Sequence, residues 1–291
     1  MRPLSGLAAI PSSRVLLPMC LLLVGCKTVH VKESQFFDPR PATLPDSVRT
    51  GYWPDGYRVK EGRIPLSDSV SLYRLLLEAP GAEQVVLYLG GSNFQIGQDF
   101  SRLRPLTRLG VHVFAVDYPG YGESGGTSSI ESFHAAALAA YDEALRVTGV
   151  SPDRLIVHGH SLGTMLAMYV AEQRQVGAVV LEGPATNARE WARSFVPWAF
   201  RPFVRLDIPP SLTQDDNLQR VARFHSPLLL LVGADDRDTN PAMARRLYKA
   251  AGTPADQKRL HVFARTQHMV LRSNPAAVDA YRAFLGDVVR R

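Results

Sequence analysis

Six short apolar runs alternate with stretches of helical spacing, and this alternation restricts the fold more than any other feature of the 291 residues. The runs occupy 84–89 (QVVLYL), 111–116 (VHVFAV), 155–158, 176–181, 228–232 and 260–263. Their apolar, often β-branched side chains are nearly continuous, as in strands buried on both faces. Helical spacing falls at about 97–109, 129–148, 161–174, 241–251 and 275–289. Crossovers of ten or more residues join parallel neighbours, so a parallel sheet covered on both sides is expected. Segments 57–60 and 70–77, parted by Gly and Asp, suit antiparallel strands that open such a sheet. The expectation is an α/β fold forming one doubly wound domain over 55–291.

One connection is too long for a simple crossover. Residues 184–225 hold Trp191, Phe195, Trp198, Phe200 and Phe203 among Pro197, Pro202, Pro209 and Pro210. A long excursion rich in rings and helix breakers reads as a lid or cap. Trp191, Phe195, Trp198 and Phe200 are expected to line its substrate pocket.

The first residues do not read as fold. Arg2 and Arg14 precede or flank an apolar stretch, Val15–Val24, and 1–25 has the layout of a signal peptide. Leu23-Val24-Gly25-Cys26 resembles the lipobox of bacterial lipoproteins, which implies cleavage before Cys26 and diacylglycerol attached to it. A polar, proline-containing tether over 26–54 would then join a lipid-anchored cell-envelope protein to its membrane, at the outer membrane or periplasmic face. The two cysteines, Cys20 and Cys26, leave the body of the chain no disulfide framework and no cysteine-based metal site. A net charge of +6 is spread without basic blocks or interleaved rings, which disfavours nucleic acid as a partner.

The break between the third apolar run and its helix reads Gly159-His160-Ser161-Leu162-Gly163. A tight strand-to-helix turn strains the backbone at Ser161 and lifts its Oγ above the sheet edge, and glycines on either side relieve collisions. The Leu162 amide, at the helix start, is placed to stabilise an oxyanion. Gly90-Gly91 ends an earlier strand, and Ser92 N–H is the candidate second donor.

A serine needs a base, and the base needs an orienting acid. His268, between the last strand and last helix, is the candidate base. Asp236, after the LLLLV strand, is the candidate acid, with Asp235, Asp238 and Glu182 as alternatives. The order Ser161, Asp236, His268 is the one known for nucleophile-elbow hydrolases. His112, His158 and His261 sit in strands, His134 on a helix, His225 beyond the lid and His160 beside the serine. No H-E-x-x-H spacing occurs, and Gly120-Tyr-Gly122 lacks the rest of a dinucleotide fingerprint. No metal or cofactor is therefore expected.

With these residues in hand the chain resembles an α/β-hydrolase from about residue 50 onward. Asp117-Tyr-Pro-Gly-Tyr-Gly-Glu-Ser-Gly-Gly126 is similar to the family's D-x-x-G-x-G-x-S segment, and Gly233-x-x-Asp236 to its acid loop. The resemblance implies an eight-stranded-type sheet and, in the branch containing membrane-associated serine hydrolases, action on an acyl ester, thioester or lipid substrate. Two departures stand out. Gly90-Gly91 replaces the usual His-Gly, removing an imidazole that braces the oxyanion loop, and the acid loop lacks its usual Val-Pro. Acyl transfer or peptide cleavage on the same fold, and a non-catalytic scaffold binding a ligand or envelope partner, are the alternative functions.

Overall fold

The computed structural model describes residues 27–49 and 56–289. The signal-peptide segment 1–25 and the lipidation candidate Cys26 lie outside the described residues. Among those described, the strands in chain order are β1 (Lys27–His30), β2 (Arg58–Pro65), β3 (Ser71–Glu78), β4 (Val85–Leu89), β5 (His112–Val116), β6 (Leu155–His160), β7 (Ala178–Glu182), β8 (Val204–Asp207), β9 (Leu228–Gly233) and β10 (Lys258–Phe263). Eight of them form one sheet in the order β10-β9-β7-β6-β4-β5-β3-β2. The β2–β3 and β3–β5 pairs are antiparallel and the remaining pairs are parallel. This is the α/β-hydrolase fold, with the two opening strands placed as the sequence predicts.

Alternation along each central strand divides the core. Val85, Leu87 and Leu89 point to one face, where they meet the helices Ile130–Thr148, Gly163–Gln173 and Pro241–Ala250; Val86 and Tyr88 point to the other, against the 96–107 turns and the helix Pro275–Phe284. Local chemistry sets the helix ends. Ser129 caps the first helix by accepting from Ser132 N–H, and Gly149 ends it at φ 71°. Asn240 and Asn274 each cap a helix whose first residue is proline, where a missing N–H costs nothing. The region 97–109 differs from the single helix expected. It breaks into Ile96–Asp99, a 3-10 turn Phe100–Arg102 and Arg104–Thr107, because Pro105 has no N–H with which to continue an α-helix.

The stretch read as a tether packs on the domain over its described part, 27–49. β1 pairs in parallel with β8, and Phe36 and Leu44 are buried. Phe36 packs on Trp191 with ring centroids 4.9 Å apart. The 184–225 excursion itself contains the helix Ala188–Ser194, the 3-10 stretch Trp198–Phe203, β8 and the helix Asn217–Arg223. A buried polar node fastens its far end: Asp215 accepts from Arg220 Nη1 at 2.7 Å and bonds His134 Nε2 at 3.0 Å, and His134 stacks on Tyr169. Among the described residues no helix is long and apolar enough to cross a membrane.

Candidate active site

The turn after β6 has the strain that a nucleophile elbow requires. Ser161 sits at φ 54°, one of two non-glycine described residues with positive φ, and its N–H donates to the Glu182 carbonyl at 2.9 Å. Its flanking glycines are needed because strand and helix nearly touch. A Cβ at Gly159 would lie 2.3 Å from the Gly163 carbonyl oxygen, and one at Gly163 would lie 1.9 Å from that of Leu89. Gly91 brings the loop after β4 against the serine, since a Cβ there would be 3.1 Å from Ser161 Cβ.

The loop after β9 sets the candidate acids in different surroundings. Asp236 is buried and its Oδ2 meets His268 Nδ1 at 2.8 Å. The same carboxylate accepts from the Asp238 and Thr239 amides and the Thr239 hydroxyl, each at 2.9 Å. Asp235 and Asp238 are exposed, and Glu182 is buried on a different histidine, His158, at 3.2 Å. Burial pushes the Asp236 carboxyl up, but the bond and charge of His268 and the Thr239 donors outweigh it, so its pKa is lowered. Burial alone would depress the His268 imidazole; the Asp236 hydrogen bond and charge raise it above its ordinary value. His160, beside Ser161, has its ring centroid 4.8 Å from that of His268 and is driven by burial down to about 3, so it is neutral.

Asp236, Asp238 and His268 can bring three ligand atoms within 4.8 Å of one another. The Asp236 oxygens are committed to His268, Thr239 and two amides, so this arrangement is read as an acid–base pair.

The loop after β4, the candidate oxyanion loop, is braced by tyrosines where Gly90 replaces an imidazole. Tyr118 hydroxyl donates to the Gly90 carbonyl at 3.1 Å and Tyr121 hydroxyl to the Ser92 carbonyl at 2.6 Å. Asp38 N–H reaches both the Ser92 carbonyl and the Tyr121 oxygen. Asp117 accepts from the Ile96 and Glu123 amides, and burial lifts its pKa to about 6. The D-x-x-G-x-G segment thus supports the loop from beneath, and Gly122 is required because a Cβ there would come within 2.0 Å of Asp117 Oδ2. The Gly91 carbonyl accepts from Phe94 N–H, which turns the Ser92 N–H of the same trans peptide the opposite way. Neither Ser92 N–H nor Leu162 N–H donates to another group among the described residues.

Two positions, Gly183 and Thr239, escaped sequence reading, and a third, Glu182, is expected from sequence only as an alternative acid. Gly183, at φ 55°, faces the acid–base pair so closely that a Cβ would lie 2.8 Å from His268 Cε1. Thr239 holds Asp236. Glu182 joins the elbow to the histidine loop, its carbonyl taking Ser161 N–H and its Oε1 taking Leu271 N–H. The strand-end string Glu182-Gly183-Pro184 was the available signal for two of them.

The aromatic residues of the excursion divide. Trp191 is partly buried and packs with Leu162 against Met165, Ala185 and Met243. Phe195, Trp198 and Phe200, expected to line a pocket, are instead more than half exposed, because the 3-10 stretch and β8 hold this corner out against β1 and away from the sheet edge.

Residues 79–222 match the alpha/beta hydrolase family. An uncharacterized protein of Mycobacterium tuberculosis is 33% identical over 179 residues, 61% of this chain and 60% of that one. The alpha/beta hydrolase domain-containing protein 17C of Xenopus tropicalis is 29% identical over 159 residues, 54% of this chain and 48% of that one. The chain thus spans roughly half to 60% of the length of these curated relatives. An esterase of Pyrococcus furiosus shares the fold with a TM-score of 0.63 at 19% identity, over 87% of this chain and 100% of that one. The ferulic-acid-bound Est1E of Butyrivibrio proteoclasticus does so with a TM-score of 0.63 at 17% identity, over 79% and 100%. Fold and sequence together define an α/β-hydrolase-type protein. The chain has the α/β-hydrolase fold, and about half of its length is similar in sequence to that superfamily.

Proposed function

We propose that the chain is a serine hydrolase that cleaves a carboxylic ester or thioester through an acyl-Ser161 intermediate. The observation that carries this reading is the Asp236–His268 pair at 2.8 Å on the loops beside a strained Ser161. With Nδ1 committed to Asp236, the His268 Nε2 lone pair is the one free to take the Ser161 proton. The freed oxygen attacks the acyl carbon, and the Leu162 and Ser92 amides receive the oxyanion. His268 then gives its proton to the departing alcohol or thiol and activates water to release the acid. Losing one such donor typically removes about 2.7–4 kcal/mol of transition-state stabilisation.

Leu162, Met165, Trp191 and Met243 supply an apolar wall next to the oxyanion donor, which suits an acyl group. The same proposal keeps the lipid anchor at Cys26, hence a cell-envelope location on a membrane. The test is an ester and thioester panel of increasing acyl length with fluorophosphonate labelling. Labelling and turnover are expected in the parent protein and absent in Ser161→Ala. Undiminished esterase activity in a folded Ser161→Ala would overturn the assignment.

A further inference from the structure

The exposed large apolar side chains of the described residues gather in one place. Phe195, Trp198, Phe200 and Phe203 are 56%, 82%, 56% and 50% exposed, and the fifth, Val29, lies on β1 opposite Leu206 of β8. A contiguous patch of this kind on a folded surface marks an interaction face. Beside it Arg189, Arg193, Arg201 and Arg205 line a cleft of about 410 Å³. All four are exposed, and none makes an ion pair among the described residues. Asp207, in the same cleft, is occupied by His30 at 2.7 Å.

Two features identify the occupant. Arg189 and Arg201 donate to the Leu206 and Val196 carbonyls, but none of the four guanidinium charges is neutralised by a carboxylate among the described residues, which calls for an anionic partner; a second copy of the chain would set arginines against arginines across a two-fold contact. The β1–β8 ladder also places Lys27, the residue after the candidate lipidation site, opposite Val204 and next to Phe203, at the rim of the patch. We propose that this corner, residues 188–208 with β1, is a docking surface for an anionic phospholipid bilayer. The rings of Phe195, Trp198, Phe200 and Phe203 enter the boundary between headgroups and acyl chains, where aromatic side chains are favoured. The arginine forks take lipid phosphates. Trp191 packs on Phe195 at 4.9 Å and on the Leu162–Met165 wall, so docking brings the bilayer within one side chain of the candidate site. The second feature rests on the lipid anchor of the proposed function, while the charge argument and the test rest on neither that anchor nor the hydrolase reading, since insertion of Trp198 is read directly.

The chain has three tryptophans, so Trp53→Phe with Trp191→Phe leaves Trp198 as the sole reporter in the full-length protein. Mixed with vesicles of phosphatidylglycerol and phosphatidylcholine, its emission is expected to shift to the blue and to be quenched when the acyl chains are brominated. Arg193→Gln and Arg205→Gln are each expected to weaken partitioning onto the anionic vesicles about fivefold and to leave binding to pure phosphatidylcholine unchanged. Unchanged Trp198 emission overturns the proposal even if the protein sediments with vesicles through its N-terminal segment. Shielding of Trp198 from iodide before any lipid is added also overturns it, since the patch is then covered by the chain itself or by a second copy. Both outcomes leave the Ser161 test untouched.

Discussion

Glu182 accepts the Leu271 amide at 2.8 Å through a carboxylate that also faces His158, while its own carbonyl holds Ser161 N–H at 2.9 Å. One residue therefore fixes the spacing between the elbow and the loop that carries His268. Burial would push its carboxyl up, but the His158 bond, nearby histidine charge and the Leu271 amide hold it down to about 2. Its contribution to stability is thus complete above the ordinary value of 4.5 and lost as pH falls toward 2.

Glu182→Gln keeps an acceptor for Leu271 and is expected to lower kcat less than tenfold with little change in KM. Glu182→Leu strands both His158 and the Leu271 amide and is expected to cost about 3–5 kcal/mol in chemical denaturation. A loss near 10^4-fold in folded Glu182→Gln would instead make Glu182 the catalytic acid.

The acid assigned by geometry has its own test. Asp236→Asn should reduce kcat/KM about 10^4-fold, because His268 loses the partner that fixes its tautomer. In the parent protein kcat/KM should rise with pH through a midpoint above 6.5, since the base must be neutral and its pKa is raised by Asp236. Residual activity in Asp236→Asn should show that midpoint moved to lower pH, as burial then acts without the carboxylate. An unmoved acid limb would show that His268 does not control the reaction.

Gly183→Ala tests the closeness of β7 to the acid–base pair. The backbone at φ 55° disfavours alanine by about 1–2 kcal/mol, and its Cβ would press on the His268 ring at 2.8 Å. The imidazole must shift, and a displacement on the order of 1 Å at a reacting group costs about 10^2-fold in rate. Circular dichroism should report a folded protein whose kcat has dropped by that order. Parent-like kcat would mean that the ring position is not critical.

The sheet was legible because each central strand is a short apolar run with glycine or charge at its ends, and burial on both faces leaves no ambiguity of period. The elbow was legible because Gly159 meets the backbone of its own turn and Gly163 the backbone of the neighbouring strand at Leu89, so both stand at fixed spacing from Ser161. Asp236 could not be separated from Asp235 and Asp238 because the choice depends on which carboxylate the turn tucks inward beneath Thr239. Gly183 was invisible as a site residue, and Glu182 was legible only as an alternative acid, for the same reason: their partners, His268 and Leu271, lie more than eighty residues away in sequence. The excursion's rings read as pocket lining because apolarity says only that a side chain seeks cover. Composition does not reveal which side the cover comes from, and β1 pairing with β8 turned Trp198 outward.

The substitution of Gly90-Gly91 for His-Gly gives a last prediction, since the loop's support comes from tyrosines below it. Tyr121 hydroxyl bridges the Ser92 carbonyl and Asp38 N–H, so Tyr121→Phe removes both bonds without changing ring packing against Tyr118 and Phe133. The Asp38 amide and the Ser92 carbonyl keep their bond to each other at 3.1 Å, so the fold is expected to lose only about 0.5–1.5 kcal/mol. The loop carrying the Ser92 amide would then be held less firmly, by Asp38 and Phe94 alone, and an oxyanion donor acts chiefly on the transition state. kcat should therefore fall by roughly tenfold or more while KM for a short-chain ester holds, measured beside Tyr118→Phe, which frees only the Gly90 carbonyl. A change in KM alone would place the Tyr121 bridge under substrate binding instead of the oxyanion site.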